Sequence, residues 1–78
     1  MMENEVTWKP TSERPPENLL VLCERPNHNG YSTAAYSHYG DDQVWRNFHG
    51  EVIGGTEIFL RWMEIPGASF MITPYNYQ

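Results

Sequence analysis

Cys23, His28, His38 and His49 are the residues of this chain best suited by type to hold a metal ion. Their spacings of five, ten and eleven residues match no standard zinc pattern, because neither a CxxC nor an HxxxH occurs. They read as turn and surface histidines plus one buried thiol. Cys23 paired with a histidine would also make a nucleophile. It stands, however, inside the most apolar run, Leu19 to Glu24, where a thiol behaves as a small hydrophobe. Asp41 and Asp42 are adjacent carboxylates, but a glycosidase sets its two acids across a cleft and draws them from different elements. Two neighbours in one turn read as solvated acids. Gly54-Gly55 lacks the rest of a phosphate-cradling loop. Tyr31, Tyr36, Tyr39 and Trp45 on a sheet would suit base stacking, yet the basic residues do not cluster, so cross-strand packing is their expected role. The expectation is a protein with no catalytic set, no metal and no cofactor, and therefore not an enzyme.

Charge narrows the partners. Ten acidic and five basic residues give a formal net charge of -5. Phosphate backbones and anionic membranes both select for lysine and arginine, so direct nucleic-acid and membrane binding are disfavoured. A host protein with a basic surface is the partner class that long-range steering favours, and a homodimer is compatible with the same reading. The single Cys23 cannot form an internal disulfide, which fits a reducing cytoplasm. The opening residues lack the apolar run of a signal peptide, and no stretch approaches the roughly 18 apolar residues of a membrane span.

Punctuation by proline and glycine sets the elements. Residues 1–7 read as a loose start. Pro15-Pro16 stops any helical turn capped by Thr11 or Ser12. Leu19-Leu20-Val21-Leu22-Cys23-Glu24 is the clearest strand, and Asn29-Gly30 turns the chain into a second over Tyr31 to Tyr39. Gly40-Asp41-Asp42 turns it into a third at Val44 to Phe48. Glu51-Val52-Ile53 is too short to assign. Ile58 to Ile65 reads as a central strand, with Ile58, Leu60, Trp62 and Glu64 on one face, and Ser69 to Thr73 as a further short strand. No segment carries a helical period. The expected fold is mainly β (a β-rich α+β arrangement being the alternative): one small domain over residues 1–78, an antiparallel sheet of about four or five strands in a meander, with at most one or two short helical turns. A chain this short buries only roughly 60% of its unfolded surface, so the expected core is thin: Trp8, Leu20, Leu22, Tyr36, Trp45, Ile58, Leu60 and Trp62.

The tryptophan-bearing ends carry a resemblance. Trp8, Ser12-Glu13-Arg14-Pro15-Pro16, Leu20-Val21-Leu22, Gly30-Tyr31, Trp45 and Trp62-Met63-Glu64-Ile65-Pro66 resemble a family of small phage and prophage proteins known as domain of unknown function 551. The likeness runs from Trp8 to Pro66. Arg61 stands where that family usually has histidine, and Ile65 where it has leucine; residues 67–78 extend past its usual end. The resemblance implies a small β-rich protein of a bacteriophage or mobile element, living in a bacterial cytoplasm, and implies no reaction.

Function is therefore expected to be contact. Phe70, Met71, Tyr75 and Tyr77 in the C-terminal stretch are of types enriched at interface centres, and Asp41 and Asp42 offer exposed negative charge. These six are the candidate partner-binding residues. The competing role for the tail is closing the protein's own core. Small phage proteins often inhibit host enzymes or defence systems, CRISPR machinery among them, and inhibition of such a system is the expected mode by that analogy. The alternative is a small-molecule or nucleotide-binding sensor whose sheet aromatics stack on a ligand.

Overall fold

The structure is a computed structural model that describes residues 7–67 and 69–75. It is mainly β. Six antiparallel strands form one sheet: β1 (Lys9–Pro10), β2 (Leu20–Glu24), β3 (Tyr31–Tyr39), β4 (Asp42–Arg46), β5 (Val52–Gly55) and β6 (Arg61–Met63). Two short 3-10 turns, Pro26–His28 and Thr56–Ile58, are the helical content among the described residues. The strand order is β1-β6-β2-β3-β4-β5. The meander holds from β2 to β5. The chain then crosses back over the sheet, and β6 lies on the other side of β2.

That crossing decides the core. Alternation along paired strands puts Val21, Cys23, Ala34, Tyr36, Trp45 and Trp62 on one face. Phe59, on the connection from β5 to β6, packs onto them, its ring 5.4 Å from that of Trp45. Trp45 meets Tyr36 edge-on at 6.2 Å. The loop between β1 and β2 covers the same face: the Trp62 indole donates to the Glu13 carbonyl at 2.7 Å, and Arg14 donates to the Tyr36 hydroxyl at 3.0 Å. Four aromatic side chains, two of them indoles, thus supply bulk that aliphatic residues provide in larger domains.

Four of the residues expected in the core stand elsewhere. Leu20 and Leu22 are half-buried on the opposite face, because a period of two allows one face per strand and Val21 and Cys23 take the one that carries the aromatic cluster. Leu60 is 54% exposed. The run expected to be one long strand breaks into a 3-10 turn, a corner at Phe59 and three strand residues, so its strict alternation never forms. Trp8 lies half-buried on the outer face. There it stacks on Tyr31 at 5.7 Å, with the Arg61 guanidinium 4.6 Å from its ring centroid. Ile58 flanks the core rather than filling it.

Turn chemistry also shifts from the sequence pattern. Gly30 takes a φ of 88°, but the left-handed partner before it is Asn27, not Asn29. The third strand ends at Arg46 rather than Phe48, and β5 reaches Gly55. Ser69 to Thr73 forms no strand beyond a single bridge, Leu19 to Met71. The chain leaves β6, loops out, and returns along the same edge of β2, where Leu20 donates to the Phe70 carbonyl and Ile72 to the Asn18 carbonyl.

Candidate functional site

The residues with reactive side chains are scattered. Cys23 is fully buried, and burial pushes its thiol up to about 12, so it is a neutral core residue at physiological pH. His38 Nδ1 lies 3.0 Å from Glu17 Oε2 on the loop that covers the core. His49 stacks against Phe48 in the turn between β4 and β5. The His28 side chain lies outside the described residues. Among the described residues no three of His, Cys, Asp and Glu stand together as a metal site requires. The four aromatics that suggested a stacking platform divide between faces: Tyr36 and Trp45 are buried in the core, while Tyr31 and Tyr39 are exposed at opposite ends of β3.

Arg46 is the best-connected polar residue, and sequence reasoning passed over it. It is 1% exposed and has no carboxylate partner among the described residues. Its Nε donates to Ser37 Oγ (3.1 Å), Nη1 to the carbonyls of Gly50 (2.7 Å) and Tyr75 (3.1 Å), and Nη2 to the His38 carbonyl (2.7 Å). Ser37 passes its own hydrogen to Asn18 Oδ1 at 2.8 Å. The fixed fork of a guanidinium suits several carbonyls at once, which an ammonium cannot match. This hub ties the end of β4, the turn after it and the C-terminal stretch into one unit. Its signal in the sequence was a lone arginine directly after the apolar pair Val44-Trp45.

The tail divides between the two roles expected of it. Its backbone docks: besides the bonds at Phe70 and Ile72, Tyr75 donates to the Gly50 carbonyl at 2.9 Å. Ile72 is buried at 5% exposure. Phe70, Met71 and Tyr75 each leave about half of their surface in solvent. Phe70 and Met71 lie beside the start of β2, and Tyr75 lies beside Gly50. Asp41 and Asp42, both exposed, cap the far end of the β3–β4 hairpin. Tyr77 lies outside the described residues.

Charge is distributed unevenly. In residues 7–40 and 58–75, four acids (Glu13, Glu17, Glu24, Glu64) are balanced by four bases (Lys9, Arg14, Arg25, Arg61). Several are directly paired, Arg61 with Glu24 and Lys9 with Glu13 among them. In residues 41–57, four exposed carboxylates (Asp41, Asp42, Glu51, Glu57) meet only the buried Arg46. None of the four has a cationic partner among the described residues. Among the described residues, the excess negative charge thus belongs to the β4–β5 side of the sheet.

No protein-family model matches the chain, and no curated protein or solved structure matches it either.

Proposed function

We propose that this chain is a non-enzymatic accessory protein of a bacteriophage or mobile element that acts by binding a basic surface on a host protein. The observation that carries the reading is the acidic side formed by Asp41, Asp42, Glu51 and Glu57, which have no cationic partner among the described residues, while the acids and bases of residues 7–40 and 58–75 balance. A one-signed surface of this kind steers an oppositely charged partner and rejects nucleic acid. The family resemblance from Trp8 to Pro66 supplies the biological setting, and inhibition of a host defence system is the mode that setting favours. Burial of Tyr36 and Trp45 removes the aromatics that a ligand-stacking sensor would need, so contact with protein is the preferred reading.

The test is affinity capture from a bacterial extract with the full chain as bait, beside a bait carrying Asp41→Lys and Asp42→Lys. The expected result is one specific protein, released in about 1 M salt, where the screening length falls to about 3 Å, and captured poorly by the charge-reversed bait. Capture that ignores both salt and charge reversal refutes the electrostatic basis, and no specific capture refutes the reading itself.

A further inference from the structure

The two edges of the sheet are built differently. β1 forms one edge with two residues, Lys9 and Pro10. A proline has no N–H to offer and a lysine resists desolvation, so this edge is blunted against any added strand. β5 forms the other edge. It pairs with β4 alone, and no strand pairs with its other side among the described residues. Instead of lysine or proline it presents Val52 (42% exposed) and Ile53 (41% exposed), with exposed Phe48 in the preceding turn. The ladder steps from Trp45–Gly54 to Arg46–Val52, so Ile53 is the extra residue of a bulge, outside the pairing with β4.

Carboxylates frame this edge. Glu51 directly precedes it, and the Glu57 carboxylate lies so close to Gly55 that a Cβ there would stand 2.7 Å from Oε1. Asp42 shares a face with Val44, which pairs with Gly55. The edge is also held in place. Asn47 Oδ1 accepts from the His49 and Glu51 amides, Asn47 donates to the Glu51 carbonyl, and Arg46 anchors Gly50. A pre-set edge lowers the ordering cost of taking up a strand.

Resting on the reading of this protein as a binder of basic host surfaces, we propose that β5 is the docking edge and that its occupant is an extended, basic segment of the partner, added as a seventh strand. The four residues of β5 span about 13 Å. A segment of matching length would cover Val52 and Ile53 with apolar side chains and place lysine or arginine against Glu51, Glu57 and Asp42. A second copy of this chain fits poorly, because edge-to-edge pairing through β5 brings two unpaired sets of four carboxylates together. Strand addition takes affinity from main-chain hydrogen bonds and specificity from alternate side chains, which are the two things this edge leaves free.

The experiment titrates isotope-labelled full chain with a short peptide alternating lysine and valine, and with its glutamate–valine counterpart, following backbone amide resonances. Shifts confined to residues 51–55, slowed amide exchange on β5, and binding weakened about tenfold (~1.4 kcal/mol) by Ile53→Lys support the proposal. Leu60→Lys, at an exposed apolar site on the other side of the sheet, should leave binding and stability unchanged. Equal binding of the glutamate–valine peptide, shifts centred elsewhere, or a concentration-dependent dimer abolished by Ile53→Lys overturns it. If Ile53→Lys still captures the host protein from extract, the edge assignment fails while the binding function stands. If the peptide docks on β5 but no host protein is captured, the edge stands and the host-binding reading fails.

Discussion

Gly50→Ala measures how strongly the C-terminal stretch is built into this sheet. Gly50 has a φ of 87°, a left-handed conformation that costs an alanine about 1–2 kcal/mol. Space adds a second cost. A Cβ at this position would press into the Thr73 carbonyl oxygen and stand 3.0 Å from the Tyr75 nitrogen. Those are backbone atoms, so no rotamer change relieves the contact; residues 73–75 must move. Moving them breaks the Tyr75 amide's bond to the Gly50 carbonyl, worth about 1 kcal/mol, and the bond from the buried Arg46, worth about 1.5–3 kcal/mol. The expected loss is about 4–6 kcal/mol, which is a large part of the roughly 4–12 kcal/mol that a chain of this size has in total. Gly40→Ala is the internal control. Gly40 has a φ of 63° but nothing within 4 Å of its would-be Cβ, so the backbone term alone, about 1–2 kcal/mol, applies. Urea unfolding followed by tryptophan fluorescence gives both values from midpoint and slope. If Gly50→Ala loses no more than Gly40→Ala, the tail is not structurally integrated and the role given to Arg46 is wrong.

Two more predictions follow from burial. Ile72→Ala should cost about 2–4 kcal/mol and lower the thermal midpoint by about 10 °C or more, whereas its half-exposed neighbour Met71→Ala should stay within about 0.5 kcal/mol; similar effects at both sites would contradict the in-and-out division of the tail. Cys23 ties stability to alkaline pH. The unfolded thiol titrates near 9.0 and the native one near 12, so between those values the unfolded state loses a proton that the folded state keeps, and stability falls as pH rises through that window. The loss, measured by urea midpoints at about pH 7 and about pH 10, should shrink in Cys23→Ala; an identical loss in the variant would show that the thiol is not shielded.

Legibility followed how local the controlling interaction was. The strands over Leu20–Glu24 and Tyr31–Tyr39 could be read because apolar runs and their bounding turns are near-neighbour properties. The tight turn at Gly40 was legible for the same reason. The candidate site was legible only in part: Asp41 and Asp42 are exposed as expected, but Glu51 and the apolar pair Val52 and Ile53 sat in a segment too short to assign. Their importance comes from being last in the sheet, and position in a sheet is a long-range property. Arg46 escaped notice because its partners lie as far along the chain as Tyr75.

By composition and spacing alone, this chain is committed to a small β domain with aromatic ballast and a surplus of negative charge, since propensity, turn residues and net charge need no knowledge of contacts. Tertiary structure decided three further matters. Val21 and Cys23, not the leucines beside them, face the core, because the crossover carrying Phe59 covers that side. Trp8 is an outer-face stack and not core, because β1 pairs with β6 in the register that puts Lys9 opposite Trp62. The carboxylates without a cationic partner collect toward the β4–β5 side, because Asp41 and Asp42 lead into the strand that pairs with β5 while Glu51 and Glu57 flank β5 itself.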